Sequence, residues 1–104
     1  MTAPLERVLS AFLADASAPR YGYDLMKAAR LPSGTLYPLL ARLEQKKLVA
    51  SAWETPQQEG QRPRKYYQLT GEGARVARLE LAQAAARRQR SQARTGRPAL
   101  ESSG

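Results

Sequence analysis

Ser33-Gly-Thr-Leu-Tyr-Pro-Leu-Leu-Ala-Arg-Leu-Glu44 is the stretch that decides the fold. Leu36, Leu39, Leu40 and Leu43 recur at the spacing of one apolar stripe along an α-helix. The opposite side carries Thr35, Tyr37, Pro38, Ala41, Arg42 and Gln45, which are hydrogen-bonding, flat or cationic groups with no acid among them. Such a face suits the DNA major groove. Ser33 is expected to cap the helix by accepting from first-turn amides. Those amides carry the positive end of the helix dipole, which favours a nearby phosphate.

On the N-terminal side, Tyr21-Gly-Tyr-Asp-Leu-Met-Lys-Ala-Ala-Arg30 reads as a second short helix, with Leu25, Met26 and Ala29 as its apolar contacts. Pro32 disfavours helical geometry at Leu31, so the first helix must stop before Ser33 starts the next. Two short helices joined so tightly form a helix-turn-helix, whose second helix reads the groove. Before them, Leu5, Val8, Leu9, Phe12 and Leu13 follow the helical period, predicting a core helix over residues 4–15 with Pro4 in its first turn.

On the C-terminal side, two alternating runs predict strands. Val49-Ala-Ser-Ala-Trp-Glu54 puts Val49, Ser51 and Trp53 on one face. Arg64-Lys-Tyr-Tyr-Gln-Leu69 puts Lys65, Tyr67 and Leu69 on one face and Tyr66 on the other. The polar, turn-rich segment 55–63 between them makes a hairpin with a long tip, which is a wing. Its base carries Arg62, Arg64 and Lys65, which suit phosphates and a narrow minor groove. Tyr66, Tyr67 and Trp53 are expected to pack the core and the hairpin rather than to touch a ligand. Thr70 is placed to cap a last helix running from Glu72 to about Arg90. Its apolar side is thin, with Val76 and Leu79 on one line and Ala74, Ala77, Leu81, Ala84 and Ala85 on another. The stretch Arg94–Gly104 is expected to be disordered. The expected fold is mainly α with a small β-hairpin: a winged helix-turn-helix over residues 1–70, a C-terminal helix over 71–93 and a basic tail over 94–104.

The chain has 104 residues, enough for one small domain, and a formal charge of +8. Residues 1–19 carry −1, residues 20–70 carry +5 and residues 71–104 carry +4. An excess of this kind favours a polyanionic partner. With no histidine and no cysteine, disulfides, zinc fingers and thiol or imidazole catalysis are excluded. The nine acids do not cluster at ligand spacing, and there is no glycine-rich phosphate loop, so no metal, cofactor or enzymatic activity is expected. No apolar run approaches a membrane span and no leader is evident, so a cytoplasmic protein without a membrane partner is expected.

With these motifs in order, the chain resembles the PadR family of bacterial transcriptional regulators over roughly residues 5–80. Gly34-Thr-Leu-Tyr-Pro-Leu-Leu-Ala-Arg-Leu-Glu44 looks like the recognition-helix signature of that family, and Tyr21-Gly-Tyr-Asp-Leu25 like its second-helix opening. Arg64-Lys-Tyr-Tyr-Gln-Leu-Thr70 with Gly73 looks like the wing's return strand and the start of the last helix. The resemblance implies a homodimer on a palindromic double-stranded DNA operator, with repression the usual outcome. By position it places Ser33, Thr35, Tyr37 and Arg42 at the groove and Arg62, Arg64 and Lys65 on the wing. Lys27 is expected to add a phosphate contact. Tyr37 is expected to pack partly against the wing, and Gly34 to permit a close approach.

The chain departs from the family pattern in three places. The link between its second and third helices is short. Lys47 stands where relatives commonly have a glycine; a left-handed conformation there would cost roughly 1 kcal/mol. The last helix is short and alanine-rich, so dimerisation is expected to draw on Leu5, Leu9 or Phe12 of the first helix as well as Val76 and Leu79. Some relatives bind flat molecules at the dimer interface. The last helix here offers no aromatic residue, so no effector pocket is expected. Two other readings are a winged-helix protein-interaction module, such as an antirepressor or adaptor, and non-specific nucleic-acid binding through Arg87, Arg88, Arg90, Arg94 and Arg97.

Overall fold

The computed structural model describes residues 2–56 and 58–103, with side chains as far as Gln92. Thr2 opens the first helix, α1 (Ala3–Leu13), by accepting from the Leu5 amide at 3.3 Å, and Pro4 lies in its first turn. There follow β1 (Arg20–Tyr21), α2 (Gly22–Ala29), α3 (Ser33–Gln45), β2 (Val49–Glu54), β3 (Arg64–Leu69) and α4 (Gly71–Ser103). The three strands form one antiparallel sheet in the order β1-β3-β2. In the hairpin Val49 pairs with Leu69, Ser51 with Tyr67 and Trp53 with Lys65, which gives the face assignment that the alternation predicts.

One core fills the space between the helices and the sheet. Val8 and Phe12 from α1, Leu25 from α2, Leu36 and Leu40 from α3 and Val49 from β2 are its largest fully buried side chains. Each leucine buried in this way contributes roughly 2 kcal/mol. The apolar stripe of α3 is thus the inner face of the helix-turn-helix, and it fixes which side of α3 meets solvent.

Both helices of the motif end in the same way. After α2, Arg30 adopts φ 56° and ψ 51°, its amide bonds the Lys27 carbonyl, and the Leu31 amide returns to the Met26 carbonyl at 3.0 Å. After α3, Lys47 adopts φ 62°, with its amide on the Glu44 carbonyl and the Leu48 amide on the Leu43 carbonyl at 2.9 Å. These are Schellman turns, each followed by a leucine that packs inward. Neither left-handed residue is a glycine, so each turn is held at a cost of about 1–2 kcal/mol.

The start of α4 is locked onto the second of these turns. Thr70 donates its hydroxyl to the Lys47 carbonyl at 2.8 Å and accepts from the Gly73 amide at 2.9 Å, so it is the expected cap. The Thr70 amide bonds the Leu48 carbonyl at 3.0 Å. A Cβ on Gly73 would overlap that same carbonyl oxygen, so this glycine is required by a close backbone approach.

Several expectations are corrected. Ser33 is not the cap: Pro32 is the last extended residue, at φ −71° and ψ 160°, and its carbonyl accepts from Thr35 and Leu36. Ser33 therefore lies inside the first turn. Gly34 meets nothing within 4 Å of where a Cβ would be, so no close approach explains it. Trp53 is 66% exposed rather than packed, because its face of the hairpin extends beyond the core that covers Tyr67 and Val49. α1 ends at Leu13 and α2 starts at Gly22, with β1 unforeseen before it. The backbone of α4 runs to Ser103, past the end expected near Arg90. The side chains of the expected basic tail, including Arg94 and Arg97, lie outside the described residues.

Candidate nucleic-acid interface

With Leu36, Leu40 and Leu43 turned inward, α3 presents Ser33, Gly34, Tyr37, Pro38, Ala41, Arg42 and Gln45 to solvent, with Thr35 half-buried beside them. The acid of this helix, Glu44, is tied down: its carboxylate accepts from the Ser51 hydroxyl at 2.6 Å, joining the end of α3 to β2. The exposed face otherwise offers hydroxyls, one amide and one guanidinium.

Tyr37 is 42% exposed, and the remainder of its ring is occupied. It lies over Gly22 at the start of α2, where a Cβ would collide with the phenol oxygen. The glycine of Tyr21-Gly-Tyr is therefore the seat of Tyr37, a contact with α2. Tyr37 is also close enough to Tyr67 to bear on its ionisation. Burial first, then the Tyr37 phenol and the Glu44 carboxylate, push the Tyr67 hydroxyl above its usual range.

The wing cations separate by the pleat of the strand. Lys65 shares a face with Trp53 and Tyr67, its Nζ 5.8 Å and 5.5 Å from the two ring centroids. Arg64 lies on the other face, its guanidinium 3.7 Å from the centre of the Tyr21 ring. The Tyr21 hydroxyl in turn donates to the Glu54 carboxylate, and Glu54 is the strand partner of Arg64. Ring stacking and cross-strand pairing together fix the base of the wing to β1. Arg62 is exposed on the connecting loop. Lys27 on α2 is exposed too, with its Nζ 5.2 Å from the ring of Tyr23.

A profile of the "Transcriptional regulator PadR-like family" matches residues 11–79. The chain belongs to this family. A PadR family transcription regulator from Clostridium difficile R20291 is 27% identical and has a TM-score of 0.73, over 90% of this chain and 98% of that one. A PadR-like transcription factor from Bacteroides fragilis is 35% identical, with a TM-score of 0.61 over 85% and 87% of the two chains. A PadR family regulator from Eggerthella lenta DSM 2243 is 40% identical, with a TM-score of 0.58 over 79% and 73%. No curated protein matches the chain. The winged helix described above is the fold of a PadR-like transcriptional regulator, and no helix among the described residues is long and apolar enough to cross a membrane.

In this PadR-like chain the residues expected to dimerise differ in exposure. Leu9 is 4% and Phe12 1% exposed, both packed into the chain's own core, so neither offers a surface to a second copy. Burying them first in the monomer is what the small core requires. Leu5 is half-buried against that core. Val76 is partly open and Leu79 is 49% exposed, on the side of α4 turned away from the fully buried Ala77. Ala77, Leu81 and Ala84 pack the first turns of α4 inward, and Glu6 holds Arg88 at 2.7 Å.

Four exposed or linking residues escaped sequence reasoning. Tyr23 gave a signal, as an aromatic one helical turn before Lys27. The exposure of Trp53 and the link from Tyr21 to Glu54 gave none. A two-residue strand has no periodicity, and the partners stand 33 positions apart.

Proposed function

We propose that the chain is a sequence-specific DNA-binding repressor that acts as a homodimer on a palindromic operator. The observation that carries this reading is the exposed face of α3. It is held from below by the leucine stripe, and its acid is engaged by Ser51. Thr35 and Tyr37 contact base edges or thymine methyls, Ser33 lies by the first-turn amides, and Arg42 takes a guanine or a phosphate. Lys27, Arg62, Arg64 and Lys65 take phosphates. Val76 and Leu79 carry the dimer contact, which sets two α3 helices roughly 34–36 Å apart on the duplex.

Fluorescence anisotropy over a salt series tests this reading, with the DNA upstream of the protein's own gene against a shuffled duplex. Preference for the upstream duplex near physiological salt is expected. Equal binding that collapses as salt rises would reduce the protein to a phosphate binder at that DNA. In the same titration Arg64→Ala should weaken binding to both duplexes alike and flatten the salt dependence by about one unit of slope. Tyr37→Ala should relax the preference for the upstream duplex while the fold persists.

A further inference from the structure

A cleft of about 520 Å³ opens where α1 meets β1, the end of α2 and α4. Each of these four places contributes an arginine to it: Arg7, Arg20, Arg30 and Arg88. The one acid in the lining is Glu6, and Arg88 already holds it at 2.7 Å. Arg7, Arg20 and Arg30 make no ion pair among the described residues. The rest of the lining is alanine and a serine, which leaves space and adds no negative charge.

Two observations separate this cluster from an ordinary basic surface. Arg20 Nε is buried without a hydrogen-bond partner, the one such side-chain atom among the described residues. A buried donor left open lowers stability until an acceptor reaches it. Arg30 occupies the left-handed position after α2, at φ 56°, where glycine would be free of strain. An arginine is held there instead, beside the same cleft.

We propose that this cleft binds a small multivalent oxyanion, either a polycarboxylate or a phosphorylated compound. Guanidinium groups take carboxylate and phosphate oxygens alike, with paired hydrogen bonds to each. Three open guanidiniums match an anion of charge about −2 to −3. No residue of α3 or of the wing lines the cleft, so such a ligand and DNA phosphates do not compete for side chains. The last helix needs no aromatic residue for this site; charge gathered from four distant points of the sequence makes it.

Isothermal titration calorimetry of the full chain with citrate, with pyrophosphate and with acetate, at matched ionic strength, tests the proposal. One saturable site for citrate or pyrophosphate, and none for acetate, is expected; the tighter of the two identifies carboxylate or phosphate as the natural chemistry. Arg20→Met and Arg7→Met should each weaken binding by about tenfold, while Arg62→Met on the wing loop leaves it unchanged. Arg7 is exposed on α1, so its variant keeps the test decisive should Arg20→Met fail to fold. No saturable heat with either probe overturns the proposal. So does an Arg62→Met loss equal to that of Arg7→Met, because binding would then follow total charge.

Discussion

Residues 3–70 and α4 are both helix-rich and basic, yet they place their apolar side chains differently. In the winged-helix body, Val8, Phe12, Leu25, Leu36, Leu40 and Val49 close over one another within a single chain. In α4 the inward face is alanine with Leu81, and Leu79 is left half open to solvent. Alanines let helices approach closely but bury little area at about 25 cal/mol per Å². The aliphatic core of the body is therefore closed within one chain. The last helix carries apolar surface that one chain does not cover.

The largest effects would break that contrast if it were false. Leu40→Asp puts a carboxylate where no partner can reach it and should unfold the body, at a cost of about 3–5 kcal/mol. Leu79→Asp should leave the far-ultraviolet circular dichroism and the monomer's melting unchanged. If the proposed dimer uses this face, that variant weakens it about a hundredfold in analytical ultracentrifugation. Unfolding by Leu79→Asp would instead mean that α4 is as closed as the body.

The junction of the two regions is the next test. Gly73→Ala drives a methyl into the Leu48 carbonyl, which is held by the Thr70 amide at 3.0 Å and has no room to retreat. A loss of about 1–3 kcal/mol in urea denaturation is expected. Gly34→Ala, in open space on α3, should change stability in the opposite direction by somewhat under 1 kcal/mol through helix propensity.

The left-handed turns sharpen the comparison within the body itself. Lys47→Gly removes a left-handed strain of about 1–2 kcal/mol but gives the unfolded chain more freedom, about 0.4–1 kcal/mol. A net gain of roughly half to one kcal/mol is expected in the same denaturation experiment. Arg30→Gly has the same backbone arithmetic, with the difference that it also removes a cation from the arginine-lined cleft.

The stripe of four leucines was enough to orient α3, because a 3.6-residue period carries burial directly into the sequence. The strand faces were legible for the same reason, through alternation. The position of Lys47 was readable as strained once the family pattern called for glycine. What the sequence did not reveal depends on chain segments meeting in space. The Ser33 cap was displaced because Pro32 already supplies the extended residue before the helix. Leu9 and Phe12 have the same helical spacing whether they face a core or a second copy. The cleft gathers Arg7, Arg20, Arg30 and Arg88, whose separations in the chain carry no pattern.

The smallest expected effects lie in two hydrogen-bonded links, one in each region, that titrate at opposite ends of the pH scale. In the body, the hydrogen bond from Tyr21 to Glu54, with lesser help from burial, raises the Tyr21 pKa above 10.0. Its contribution is complete below that ordinary value and is lost as pH rises through the raised one. In α4, the hydrogen bond from Arg75 holds Glu72 below 4.5, across an exposed pair one helical turn apart. This contribution is complete above the ordinary value and is lost as pH falls through the lowered one. Tyr21→Phe should therefore remove a small part of the alkaline loss of stability and none of the acid loss, and Glu72→Gln the reverse. Melting curves at both extremes check the pair. If Tyr21→Phe also loosened binding to both duplexes near neutral pH, the phenol would be holding Arg64 for DNA as well as holding the sheet together.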